Sequence, residues 1–149
     1  MVNETIFHID VNSAYLSWSA IRRLQNGDPL DLRTIPSIIG GDKEKRHGIV
    51  LAKSIPAKKY GIQTAEPIVS AFRKCPTLVM ESPDMHYYHQ KSEELMNYLR
   101  SVCPDIEQLS VDECFMDYTP IQRHYASPME AACQIKNEIR NQFGFTVNV

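Results

Sequence analysis

The apolar positions of this chain fall into short runs and helical stripes that can be followed in order. Residues 4–11, ETIFHIDV, predict a short strand ending at an acid, Asp10. From Ser13 to Gly27 the spacing turns helical, with Trp18, Ile21 and Leu24 on one side and Gly27 as a stop. DPLDLRT is turn-rich. IPSIIGG and GIVLAKS predict two strands on either side of a charged turn, DKEKRH, at 42–47. PAKKYG predicts a short helix opened by Pro56, AEPIVSAFRKC a second helix stopped by Pro76, and TLVMES a strand.

The second half has stronger periodicity. Met85, Tyr88, Leu95, Leu99 and Val102 recur every three or four residues and predict an amphipathic helix over 84–102. DIEQLSV and CFMDYT predict strands at 106–111 and 114–119, on either side of the acid pair Asp112 and Glu113. A helix is expected over 128–143. Ser127 is its cap, Pro128 suits its first position, Glu130 completes a capping box, and Gly144 ends it. FTVNV opens a last strand at 145–149.

With residues 17–82 set aside, the order is β-α-β-β-α-β. The expected fold class is therefore α+β, a ferredoxin-like sheet carrying an inserted small α/β lobe. A strand-helix-strand crossover makes the first two strands parallel, so their C-terminal ends share one edge. Asp10 ends the first strand, and Asp112 and Glu113 lie in the turn that ends the second. Three carboxylates thus converge on one rim. Asp117 lies further along the returning strand and reads as structural.

Composition narrows the picture. With 43% hydrophobic and 23% charged residues, the chain is an ordinary globular one. No apolar run approaches the ~18 residues of a membrane span, and the first ten residues lack the pattern of a secretory signal. Four scattered cysteines (Cys75, Cys103, Cys114, Cys133) without a CxxC pair argue against a zinc site and fit reduced thiols in the cytoplasm. The net charge of −2 excludes a uniformly basic nucleic-acid binder. Yet residues 42–74 hold eight Lys/Arg against three acids, so the inserted lobe is positive and the rest acidic.

Clustered carboxylates repel one another unless a basic neighbour or a hard cation relieves them. Mg²⁺ takes oxygen ligands and typically joins one or two carboxylates to substrate phosphates. Two such ions ~3.5–4 Å apart can clamp the attacking and leaving oxygens of an in-line displacement at phosphorus. A wet acidic turn on a ferredoxin-like sheet is the plain alternative. HxxH spacing at His86 and His89 has no evident third ligand and reads as surface.

Three ordered blocks then carry a resemblance. FHIDVNSAYLSWS (7–19) resembles the opening of Y-family (translesion, ImpB/MucB/SamB-like) DNA polymerases, with an aromatic residue five positions after the Asp. VLAKSIPAKKYGIQTAEP (50–67) resembles that family's fingers segment. IEQLSVDECFMDYT (106–119) resembles its Ser-[IV]-Asp-Glu-x-[FY]-x-Asp signature. Cys75-Pro76, and Tyr87-Tyr88 followed by Ser92, fit the intervening stretch.

The resemblance implies a palm at 1–16 and 83–149, with fingers at 17–82. It implies DNA-directed DNA synthesis with two Mg²⁺ ions, Mn²⁺ being a substitute. Asp10 and Asp112 would ligate both ions, Glu113 the one nearer the primer end, and the Val11 carbonyl would complete a shell. Amides near Ala14 and Tyr15 would meet the triphosphate at a helix start. Tyr15 would be the steric gate against a ribose 2′-hydroxyl, Lys58 a basic residue near the phosphates, and Ser110 a support for the acid turn. Asp10 can also be read as a helix N-cap, Tyr15 as core packing, and Lys59 as an equal candidate to Lys58.

Departures from the family pattern bear on nucleotide contact. Ile55 and Lys58 stand where many members have Tyr and Arg, and Lys offers a point charge rather than a bidentate fork. Asn12 and Ser13 replace bulkier or acidic residues. Family members also continue well past this length, so the chain is expected to be a palm-and-fingers fragment without thumb and little finger, inactive or very weak alone. Partners implied are primer–template DNA and dNTP, with any sliding clamp engaged through the C-terminal region beyond it, and no membrane. A palm-type nucleotidyl cyclase and a degenerate palm acting as an interaction module are the alternatives.

Overall fold

Strand β1 (Ile6–Val11) buries Phe7, Ile9 and Val11 and leaves Ile6 and His8 exposed. That period of two splits its side chains between a core face and an open face. Strand β6 (Glu113–Asp117) repeats the pattern, with Cys114 and Met116 buried and Phe115 exposed. The two strands pair antiparallel, so that Phe7 faces Met116, Ile9 faces Cys114, His8 faces Phe115 and Asp10 faces Glu113. Apolar residues meet on one face; His8, Asp10, Glu113 and Phe115 share the other.

This is a computed structural model, and it describes residues 4–41 and 48–149. The charged turn expected at 42–47 lies outside the described residues. Contacts divide the chain into two compact units, residues 1–12 with 86–149, and residues 13–85.

In the first unit, β5 (Ile106–Gln108) flanks β6 and β7 (Val147–Asn148) flanks β1, both antiparallel, in the order β5-β6-β1-β7. β5 therefore runs in the direction of β1 with β6 between them. Helices α4 (Met85–Val102) and α5 (Pro128–Phe143) complete the β-α-β-β-α-β order of a ferredoxin-like fold. α4 buries Tyr88, Ser92, Leu95, Met96 and Leu99, and α5 buries Ala131, Ile135 and Ile139. Both stripes recur at helical spacing and supply apolar cover for the sheet's core face. Tyr98 joins the helices by donating its hydroxyl hydrogen to Glu138 Oε2, and its ring meets Phe143 edge-on at 5.7 Å. Burial, then the Glu138 charge, push the Tyr98 phenol well above its usual range, which keeps it a donor.

Local chemistry sets the ends of α5 where expected. The Ser127 side chain accepts the Glu130 N–H at 3.1 Å, and Gly144 closes the helix at φ +83°. The strands are shorter than the sequence suggests. β5 stops at Gln108, and Glu113 is the first residue of β6 rather than part of the turn. The turn closes tightly because Leu109 N and Ser110 N both donate to Glu113 O, at 3.0 and 3.3 Å. β7 covers 147–148 instead of 145–149, because Phe145 is buried and stacks on Phe143 before pairing begins.

The second unit holds α1 (Ala14–Gln25), a three-stranded sheet and two short helices, α2 (Ile55–Lys58) and α3 (Ile68–Lys74). Strands β2 (Ser37–Gly40), β3 (Val50–Lys53) and β4 (Val79–Glu81) are ordered β3-β2-β4, with β2 antiparallel to β3 and parallel to β4. Ile38, Val50, Ala57, Ile62, Ile68, Ala71, Cys75 and Leu78 form its core. The Ser54 hydroxyl accepts from Ala57 N and Ser37 N and donates to Ile35 O, fixing the start of α2. A Cβ at Gly40 would sit 2.5 Å from the Ile49 carbonyl oxygen, so the irregular pairing there requires glycine.

The unit boundaries fall at 12/13 and 85/86 rather than at 16/17 and 82/83. α1 starts at Ala14 and contacts β2 and β3, and residues 13–16 fall in the inserted unit. Asp84 accepts from Arg22 Nη1 at 2.5 Å, which ties the returning segment to α1. No helix among the described residues is long and apolar enough to cross a membrane.

Candidate metal centre and nucleotide-facing residues

The acid turn is anchored from three sides. Val11 N donates to Asp112 O at 2.9 Å, fixing the turn to the end of β1. The Gln108 side-chain amide donates to Ser110 O at 2.9 Å and to Ser92 Oγ of α4 at 3.2 Å. The Ser110 hydroxyl donates to Asp112 Oδ1 at 2.9 Å. Asp10 lies directly opposite Glu113 on one side and Asn148 on the other. The backbones of positions 10, 112 and 113 therefore meet at one edge of the sheet. Asp10 is a strand residue and not a helix cap, since the N-cap of α1 is Ser13.

Two of the three carboxylates are held by local partners. Asp112 is engaged with Ser110, and Glu113 Oε2 lies 3.2 Å from His8 Nε2. The His8 ring is 5.2 Å from the Phe115 ring, tilted by 52°. Among the described residues, no group of three or more His, Cys, Asp or Glu is close enough together to hold a metal ion. The residues nevertheless fit a hard divalent cation in donor type, being all oxygen, and in backbone placement. In this structure the Ser110 and His8 contacts each take one oxygen of Asp112 and Glu113, Oδ1 and Oε2.

Other groups nearby are set apart. Cys114 points to the core face, and burial pushes its thiol up to about 11, so it offers no thiolate. Asp117 faces Ile6 at the far end of the pairing and accepts the Thr119 N–H at 2.9 Å, a turn-forming role. His86 and His89 are exposed on α4.

Three residues at the rim, Thr146, Asn148 and His8, and the partners of Asn12 are new to the structure. Asn12 donates to Thr146 Oγ1 at 2.8 Å and accepts from Asn148 Nδ2 at 2.7 Å, clamping β7 to the end of β1. No local signal links positions more than 130 apart. His8 is different: alternation alone puts it on the face of Asp10, two residues away.

The nucleotide-facing candidates belong to the second unit. Ala14 is buried and opens α1; Tyr15 is half-buried, its ring 6.4 Å from that of Trp18. Ser13 caps the helix in the left-handed region (φ 45°, ψ 59°) and makes no side-chain cap bond. A non-glycine residue there is strained, a feature that concentrates at functional sites. Lys58 ends α2 and is exposed, as is Lys59, so exposure does not separate them. Ile55 is 72% exposed.

Comparisons with known proteins bear on the family and the fold. The sequence pattern of the impB/mucB/samB family matches residues 9–149. DNA polymerase IV of Clostridium acetobutylicum is 51% identical over 148 residues, 99% of this chain and 37% of that protein. DNA polymerase IV of Alkaliphilus oremlandii is 34% identical over 148 residues, 99% of this chain and 36% of that protein. Among solved structures, the Y-family DNA polymerase chimera Dbh-Dpo4(243-245)-Dbh superposes with a TM-score of 0.83 at 22% identity, covering 95% of this chain and 40% of that one. DinB from Sulfolobus solfataricus gives a TM-score of 0.77 at 22% identity, covering 95% and 40%. At that identity the structural likeness speaks for the fold alone. The chain spans little more than a third of the length of the curated relatives it matches.

Proposed function

Because the chain belongs to the impB/mucB/samB family, we propose that it forms the palm and fingers of a translesion DNA polymerase of the Y family. The first unit is the palm and the second the fingers. The activity is that of the whole protein, DNA-directed transfer of a deoxynucleotide from dNTP to a primer 3′-hydroxyl. The relatives named DNA polymerase IV favour this over a cyclase or a degenerate palm.

The observation that supports it most is the register of β1 and β6, which sets Asp10 opposite Glu113 while Asp112 O bonds Val11 N. Two divalent ions, Mg²⁺ or Mn²⁺, would supply charge neutralisation for the attacking and leaving oxygens at phosphorus. Asp10 and Asp112 would hold both, Glu113 the one nearer the primer end, and the Val11 carbonyl would complete a shell. Ser110 supports the turn by its bond to Asp112. The first amides of α1, at Ala14 and Tyr15, are proposed to receive the triphosphate. The Tyr15 ring excludes a ribose 2′-hydroxyl, and Lys58 adds a point charge toward the phosphates. Primer–template DNA and dNTP are the partners, and the cytoplasm the location. A sliding clamp would be engaged through the part of the relatives' length that this chain does not span.

Primer extension by the full-length protein tests the proposal. Template-directed extension should require a divalent ion, stop on chelation, and resume with Mg²⁺ or Mn²⁺. The 149-residue chain alone should extend little or nothing. Extension that survives chelation, or phosphodiester formation without primer and template, would overturn the reading.

A further inference from the structure

Asp10 and Glu113 are directly opposed on the open face, where like charges destabilise an antiparallel pair. The structure resolves this conflict without an ion. Glu113 reaches to the diagonal position on the same face and brings Oε2 to 3.2 Å from His8 Nε2. A carboxylate only accepts, so Nε2 is the donor. His8 in turn faces Phe115 in the register, and that ring limits how the imidazole can stand. Among the described residues, the three acids are not gathered closely enough to hold an ion.

We propose that His8 is a positioning residue that holds Glu113 off the ion site in the ion-free protein and competes with the metal for its carboxylate. The inference rests on the reading of Asp10, Asp112 and Glu113 as the ion site. A bridging ion does for the Asp10–Glu113 pair what His8 does without one, so in this proposal the ion draws Glu113 away from the His8–Glu113 hydrogen bond. Both side chains are more than a third exposed, so the contact is worth at most ~1 kcal/mol, about a fivefold change in affinity. An outer-shell histidine that orients a ligand toward the metal has the opposite sign, since its loss weakens metal binding.

Mn²⁺ binding to the 149-residue chain at one fixed pH separates these cases, read by the electron-spin signal of free Mn²⁺ or by calorimetry. His8→Phe keeps an aromatic ring against Phe115 but cannot donate. It should tighten Mn²⁺ binding two- to fivefold and lower the melting temperature of the ion-free chain, because the Asp10–Glu113 repulsion is then unrelieved. His8→Gln keeps a donor and should stay near wild type in both readouts. Asp112→Asn should lose most of the affinity. Unchanged or weaker binding in His8→Phe, with Asp112→Asn still defective, overturns the role of His8 alone. Unchanged binding in Asp112→Asn overturns the ion-site reading and the role of His8 with it.

Discussion

In the full-length protein, Asp112→Asn is expected to lower nucleotide incorporation by roughly a thousandfold or more if the proposed site is right. The substitution keeps shape and removes one negative charge. A carboxylate shared by two ions contributes several kcal/mol of transition-state stabilisation through them, and each ~1.4 kcal/mol is a factor of ten in rate. Stability should change little, because Asp112 is only half-buried and an asparagine oxygen can still accept from Ser110 Oγ. Binding of primer–template DNA should also be retained, since basic residues facing phosphates dominate that affinity. Single-nucleotide incorporation kinetics and a gel-shift titration check the two halves. Near-normal incorporation would remove Asp112 from the site.

Tyr15→Ala is the second large effect, and it appears in selectivity rather than rate. The Tyr15 ring is half-buried and tilted against Trp18, so it stands in a defined place on α1. A built clash discriminates by penalising the wrong substrate. Truncation to a methyl group should raise incorporation of ribonucleotides relative to deoxynucleotides by ~10²-fold, the scale on which a pocket accepts or rejects one small group. Competition between labelled dNTP and rNTP measures the ratio. A variant that still rejects ribonucleotides would mean that Tyr15 is core packing for Trp18.

Much of this was legible in the residues for identifiable physical reasons. The β-α-β-β-α-β order follows from periodicities of two and 3.6, and the ends of α5 from Ser127, Pro128 and Gly144, which act locally. The convergence of Asp10 with the acid turn follows from the crossover rule alone. What escaped is set by tertiary partners. Residues 13–16 fall in the inserted unit, where α1 contacts β2 and β3, and no property of those four residues announces it. The early end of β5 depends on two amides sharing one carbonyl. Sequence alone placed three acids at one rim but could not show that Ser110 and His8 engage two of them.

The most direct measurement is the anomalous diffraction of Mn²⁺ in crystals of the full-length protein with primer–template DNA and a non-hydrolysable dNTP. Peaks bound by oxygens of Asp10, Asp112 and Glu113, at roughly the 2.0–2.1 Å of a small hard cation, are the expected result. Peaks elsewhere, with the side chains at 112 and 113 still on Ser110 and His8, would contradict it.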